Sequence, residues 1–147
     1  MKTIAVLPRL LLVLLSVLLL GGCASYEAHA ERGKSLAGVK RFFILTNLND
    51  NHALDRTLAE ALQAHGFTAE IGPRTMMPED TQAIVSYQDR WAWDFGDHLV
   101  FLAIGVQDAL SNELIATVSF SATIPLHEPA PTTVRRLVDQ LVSGKKP

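Results

Sequence analysis

The densest set of side chains able to do chemistry lies between Tyr87 and His98 and comprises Tyr87, Asp89, Arg90, Trp91, Trp93, Asp94, Asp97 and His98. Tyrosine, tryptophan and arginine dominate interaction hot spots, which makes Tyr87, Arg90, Trp91 and Trp93 a candidate binding patch. Asp89 and Asp94 could act as the carboxylate pair of a glycosidase only if a cleft held them at a defined separation. Large aromatics usually supply core area. On that plainer account both tryptophans lie under a helix, and Asp89 pairs with Arg90 or stays solvated.

Other chemistries find little to work with. The histidines, His29, His52, His65, His98 and His127, fall in different segments without the i, i+3 or i, i+4 pairing of a zinc site. His52 and His65 near the two ends of one helix would stand roughly 20 Å apart, too far to share an ion. There is no nucleophile elbow and no glycine-rich phosphate loop. The expectation is therefore a non-enzymatic protein with no metal and no cofactor.

Cys23 is the single cysteine. Before it, Lys2 and Arg9 give a basic start, and Leu10 to Leu20 is apolar apart from Ser16. That is the layout of a secretory signal peptide, and the run is shorter than the roughly 20 residues a transmembrane helix needs. Leu20-Gly21-Gly22-Cys23 resembles the lipobox of bacterial lipoproteins, in which the cysteine thiol takes a diacylglyceryl group and becomes the first mature residue. The resemblance implies lipidation of Cys23 and attachment to a membrane. In that family aspartate after the cysteine retains the protein at the inner membrane. Ala24 and Ser25 stand here, so the expected location is the outer membrane, facing the periplasm.

Without Lys2 and Arg9 the 13 basic residues fall to 11 against 15 acidic ones, a balance of about minus four, which disfavours nucleic acid as a partner. Once Cys23 is acylated no thiol remains for a disulfide or for redox work. The reading divides the chain into a signal peptide over 1–22, a flexible tether over 23–38 and one folded domain over 39–147. The tether is inferred from the polar, small composition between Ala24 and Gly38.

Val39 to Thr46 is β-branched and aromatic, which suits a strand covered on both faces. Asp50 or Asn51 can then cap a helix whose apolar face is Leu54, Leu58, Ala61 and Leu62 and which stops at Gly66, with Phe67 folding back on Leu62. Thr68 to Ile71 makes a short second strand, followed by a loop containing Met76, Met77 and Pro78. The third strand puts Ala83, Val85, Tyr87, Trp91 and Trp93 on one face. A fourth places Val100, Leu102, Ile104 and Val106 together, and a fifth Leu114, Ala116, Val118 and Phe120. Short connections make these three an antiparallel meander. After the prolines at 125, 129 and 131, Thr132 can cap a last helix with the stripe Val134, Leu137, Val138, Leu141 and Val142, ended by Gly144. The expected fold is α+β, in the order β-α-β-β-β-α. It has a mixed sheet and two helices packed on one face.

The run Ala83-Ile84-Val85-Ser86-Tyr87-Gln88, with Trp91-Ala92-Trp93, Val106-Gln107-Asp108 and Leu114-Ile115-Ala116, resembles a family of small Gram-negative lipoproteins of unknown function. In that family a "VSY" strand precedes such a hairpin and a C-terminal helix. More distantly the topology is similar to the lipoproteins that activate peptidoglycan synthases. These resemblances imply an envelope adaptor or binding module whose partner is an envelope protein or a cell-wall component. The alternative is a small enzyme acting on envelope polymers.

Overall fold

The computed structural model describes residues 24–124 and 126–144. The leader 1–22, Cys23, Pro125 and the tail 145–147 lie outside the described residues. Six strands form one sheet: β1 (Ala24–Ala30), β2 (Arg41–Leu45), β3 (Thr68–Gly72), β4 (Ala83–Trp93), β5 (Asp97–Asp108) and β6 (Leu114–Ala122). Helices α1 (Leu54–Ala64) and α2 (Ala130–Ser143) pack against each other and on one face of it. The spatial order is β1-β6-β5-β4-β2-β3. β2 runs parallel to both β3 and β4, and the other neighbours are antiparallel. This is the expected α+β arrangement with one strand more.

The extra strand corrects the tether. Ala24–Ala30 pairs residue for residue with β6, from Ala24 opposite Ala122 to Ala30 opposite Ala116. Alternation explains why it docks: Ala24, Tyr26 and Ala28 pack against the core, while Ser25, Glu27 and His29 point away. Tyr26 adds a polar clamp to α2. Its ring lies 5.0 Å from that of Phe120 and under the Arg136 guanidinium, and its hydroxyl accepts from Arg136 at 2.7 Å and donates to Glu128 at 3.3 Å. Only residues 31–40 remain as a connection, and even there Leu36 and Val39 touch the core.

β2 is interior, as its run of apolar residues suggests, with Phe42, Phe43 and Ile44 all buried. The apolar stripes of the helices, Leu54, Leu58, Ala61 and Leu62 on α1 and Val134, Leu137, Val138 and Leu141 on α2, are buried against the sheet. Each aliphatic side chain so covered contributes about 1.5–3 kcal/mol relative to exposure. α1 ends as expected: Gly66 has φ +83°, the Phe67 N–H reaches the Leu62 carbonyl at 3.3 Å, and the Phe67 ring packs edge-on against Phe42. Thr132 is not the cap of α2. The helix starts at Ala130 behind Pro129, with Pro131 in its first turn, where a missing N–H costs nothing.

Two irregularities redirect side chains. Between Arg90 and Trp91 the β4–β5 register shifts, so Trp91 faces Leu99 and it is Leu99, not Val100, that is buried. A second shift, between Val106 and Gln107 against β6, turns Ile115 into the core together with Ala116 and leaves Leu114 exposed.

Candidate functional site

Because β2 and β4 are parallel neighbours, the loop leaving β2 passes beside the upper half of β4. There Asp50 and His52 meet Tyr87, Asp89 and Trp91. Ala53, in the left-handed region at φ 54°, turns the chain back so that Asp50, several residues upstream, caps α1. Asp50 Oδ2 accepts from Leu54 N–H at 2.6 Å and Asp55 N–H at 3.3 Å. The same oxygen accepts from the Tyr87 hydroxyl at 2.8 Å, while Oδ1 accepts from His52 N–H at 2.8 Å. Burial works against the Asp50 charge, yet these donors outweigh it and hold the carboxyl below its usual range. Burial and the Asp50 charge together push the Tyr87 hydroxyl far above its usual pKa of 10.0.

His52 lies flat on Trp91, ring centroids 3.6 Å apart and planes within 15°. His52 Nε2 reaches Asp97 Oδ2 at 3.2 Å, and Trp91 Nε1 donates to Asp89 Oδ2 at 2.7 Å. Asp50, His52 and Asp89 thus bring possible ligand atoms within 4.8 Å of one another. Two carboxylates and an imidazole suit a divalent cation. Asp50 is, however, already engaged by four donors, three on Oδ2 and one on Oδ1. Ligation through Oδ2 would uncap α1 and strand the Tyr87 hydroxyl, and the contacts present give this cluster a capping and pinning role.

The four residues of the proposed patch do not share one surface. Tyr87 is buried, its hydroxyl spent on Asp50. Arg90 points from the opposite face of the sheet, its guanidinium 4.9 Å from the Phe101 ring centre. Trp91 is half-buried under His52, a loop residue and not a helix. Trp93 is 75 % exposed at the end of β4, where no other described residue covers it. Beside it Phe95 is 96 % exposed and held at φ 52°, with its ring centroid 6.0 Å from that of Trp93. The expectation of two tryptophans under a helix and an Asp89–Arg90 pair is therefore replaced by one half-covered and one bare indole, with Asp89 holding the first. Asp50 is expected from the sequence only as a cap of α1, a role it fills, and His52 only as a residue near the helix end; their meeting with Tyr87 and Trp91, and the exposure of Phe95, are not anticipated there. The signal for Asp50 and His52 is an Asn-rich turn with Asp50 in it ahead of a helical stretch.

Neither of the two clefts described among these residues reaches the cluster. One, of about 540 Å³, lies between the 34–40 segment and the end of α2, and the other, of about 370 Å³, lies beside Ala28 and Gln140. Both are at the end of the sheet remote from Asp89, Asp94 and His98. No helix among the described residues is long and apolar enough to cross a membrane.

No protein-family model matches the sequence, and no curated protein resembles it significantly. Among solved structures the fold is similar to the PelC dodecamer of Paraburkholderia phytofirmans. That match has a TM-score of 0.57 and 11 % identity, and it covers 82 % of this chain and 96 % of that one. A single-substitution variant of the same PelC gives 0.56 and 10 % over 82 % and 95 %. A minor lipoprotein from Acinetobacter baumannii aligns at 0.40 and 11 %, over 74 % and 96 %. At such identities the likeness to PelC is one of fold.

Proposed function

We propose that this chain is a lipid-anchored envelope protein. It is held through Cys23 at the periplasmic face of the outer membrane and acts as a non-enzymatic binding module for an envelope protein or a cell-wall component. The observation that carries the reading is the sequence Leu20-Gly21-Gly22-Cys23, followed at Ala24 by the first residue of the sheet. A cleavage before Cys23 leaves the whole described domain, which opens at Ala24, intact. The carboxylate chemistry of the alternative, a polymer-cleaving enzyme, gains no support from Asp89, which is bonded to Trp91 away from either cleft.

Metabolic labelling with a fatty-acid probe, followed by membrane separation, tests the anchor. The intact chain should carry label and sediment with the outer membrane, and Cys23→Ala should lose the label and stay uncleaved. Normal processing and soluble release of Cys23→Ala would refute the reading. Crosslinking before lysis, with Cys23→Ala as control, tests the binding role. Recovery of no envelope component above that control would count against it.

A further inference from the structure

The β4–β5 hairpin ends in two aromatic side chains that the fold does not use. Trp93 is 75 % and Phe95 96 % exposed. Phe95 also sits at φ 52°, a conformation that a bulky side chain rarely adopts and that asparagine or glycine would take without strain. An apolar residue kept both strained and bare contributes nothing to the stability of the domain, and strain of that kind points to a function at the residue itself.

The sheet register shows what this end of the molecule faces. Ala24 is opposite Ala122 on β6, Ser121 is opposite Phe101 on β5, and Phe101 is opposite Arg90 on β4. The start of β1 is thus level with Arg90 and Trp91, three strand spacings or roughly 14 Å to one side. From that level the hairpin continues to Phe95, about four residues or roughly 13 Å further along the strand axis. Ile124, 57 % exposed, lies just beyond the same end of β6. A bilayer that holds the residue before Ala24 therefore meets the hairpin tip first. We infer that Trp93 and Phe95 form a second, non-covalent membrane contact, seating the hairpin tip in the headgroup region of a zwitterionic phospholipid bilayer. The inference rests on the anchoring of Cys23 proposed above.

The chemistry agrees with that depth. Indole rings favour the membrane–water interface, and apolar side chains of surface-bound segments sink roughly 5–10 Å to the acyl boundary. Asp94, between the two aromatics, and Asp97, just after them, are exposed, so they stay among the headgroups and repel anionic lipid. Zwitterionic lipid is the surface this tip fits.

The test uses the acylated full-length protein reconstituted into phosphatidylcholine vesicles with and without bromines near the top of the acyl chains, a contact quencher of tryptophan. Brominated lipid should remove most of the Trp93 emission. In Trp93→Phe the remaining emission, from Trp91 under His52, should survive. Phe95→Asn, which relieves the backbone and should fold at least as well, should reduce the quenching, and so should replacing part of the lipid by phosphatidylglycerol. Vesicles that carry the protein on flotation but leave Trp93 unquenched overturn the inference and leave the anchor standing. An emission shift that depends on protein concentration and not on bromine overturns it in favour of a second copy. A chain that fails to float overturns the anchor, and this inference with it.

Discussion

Asp50→Ala should be among the most damaging substitutions of a surface-loop residue in this protein, and its cost can be worked from the contacts it removes. The carboxylate caps α1 through Leu54 and Asp55, a service worth about 1 kcal/mol. It also accepts the bond of the buried Tyr87 hydroxyl, which alanine would leave without its acceptor at about 1–3 kcal/mol. The sum, about 2–4 kcal/mol, is a large share of the roughly 5–15 kcal/mol a domain commands. Tyr87→Phe, which loses only the hydroxyl, should cost about 1.5 kcal/mol. On that background Asp50→Ala should cost only the cap, so the two are coupled by more than 1 kcal/mol. Urea unfolding at pH 7 of the acylated protein in detergent micelles, followed by far-UV circular dichroism, reads all four corners of the cycle. The titration signs follow. The Asp50 carboxyl is held below its usual 3.8, so its contribution is present above about pH 4 and lost as pH falls through the folded value. Asp50→Asn should flatten that part of the acid limb. Asp108, held low by Ser111 and Leu110 N–H groups, and Glu113, held low by Lys34, keep the rest. Tyr87, raised above 10.0, contributes fully below pH 10 and loses that contribution above it, and Tyr87→Phe should remove this alkaline slope. Costs under about 0.5 kcal/mol for Asp50→Ala in both backgrounds would refute the reasoning.

Tyr26→Ala should cost about 2–3 kcal/mol by stripping the ring from Phe120 and the hydroxyl from Arg136 and Glu128. Amide exchange should then quicken along β1 before it does in β4 or β5. Phe95→Asn should raise the urea midpoint by about 1 kcal/mol equivalent, since only the left-handed backbone feels the change. Gly72→Ala would place a Cβ 3.1 Å from Phe43 Cζ and should cost about 1 kcal/mol, whereas Gly105→Ala, 3.5 Å from Ser86 Oγ, should be nearly neutral in the same assay.

What the sequence disclosed, and what it hid, follows from how far each signal reaches. Leu54, Leu58, Ala61 and Leu62 lie within one helix, and Phe42 to Ile44 within one strand, so spacing and residue type sufficed. β1 also carried its signal: Ala24, Tyr26, Ala28 and Ala30 alternate with Ser25, Glu27 and His29. Alanines make that pattern quiet, and the strand is stabilised by β6, some ninety residues away, which no local window contains. The bulge opposite Arg90 and Trp91 left no mark in the alternation, so Leu99 and Val100 exchanged roles unannounced. Asp50 and His52 reach Tyr87 and Trp91 only because β2 and β4 lie side by side, a matter of topology. The bareness of Trp93 depends on what the other elements cover, which is a property of the packed fold and not of the strand.

With Ala24 already inside the sheet, the distance over which this protein can act is set by its own dimensions. A flexible leash of about sixteen residues would let a domain wander some 20–24 Å from its attachment point and turn freely. Here the described residues are in the sheet from Ala24 on, and β5, at 12 residues, gives the body a length of roughly 40 Å along the strands. On the anchoring at Cys23 proposed above, the domain would work within a shallow layer against the bilayer. Its far end, the Asp108 to Glu113 turn, marks the outer limit. On the same proposal, its partner would be another occupant of that layer, or a structure thick enough to come down into it.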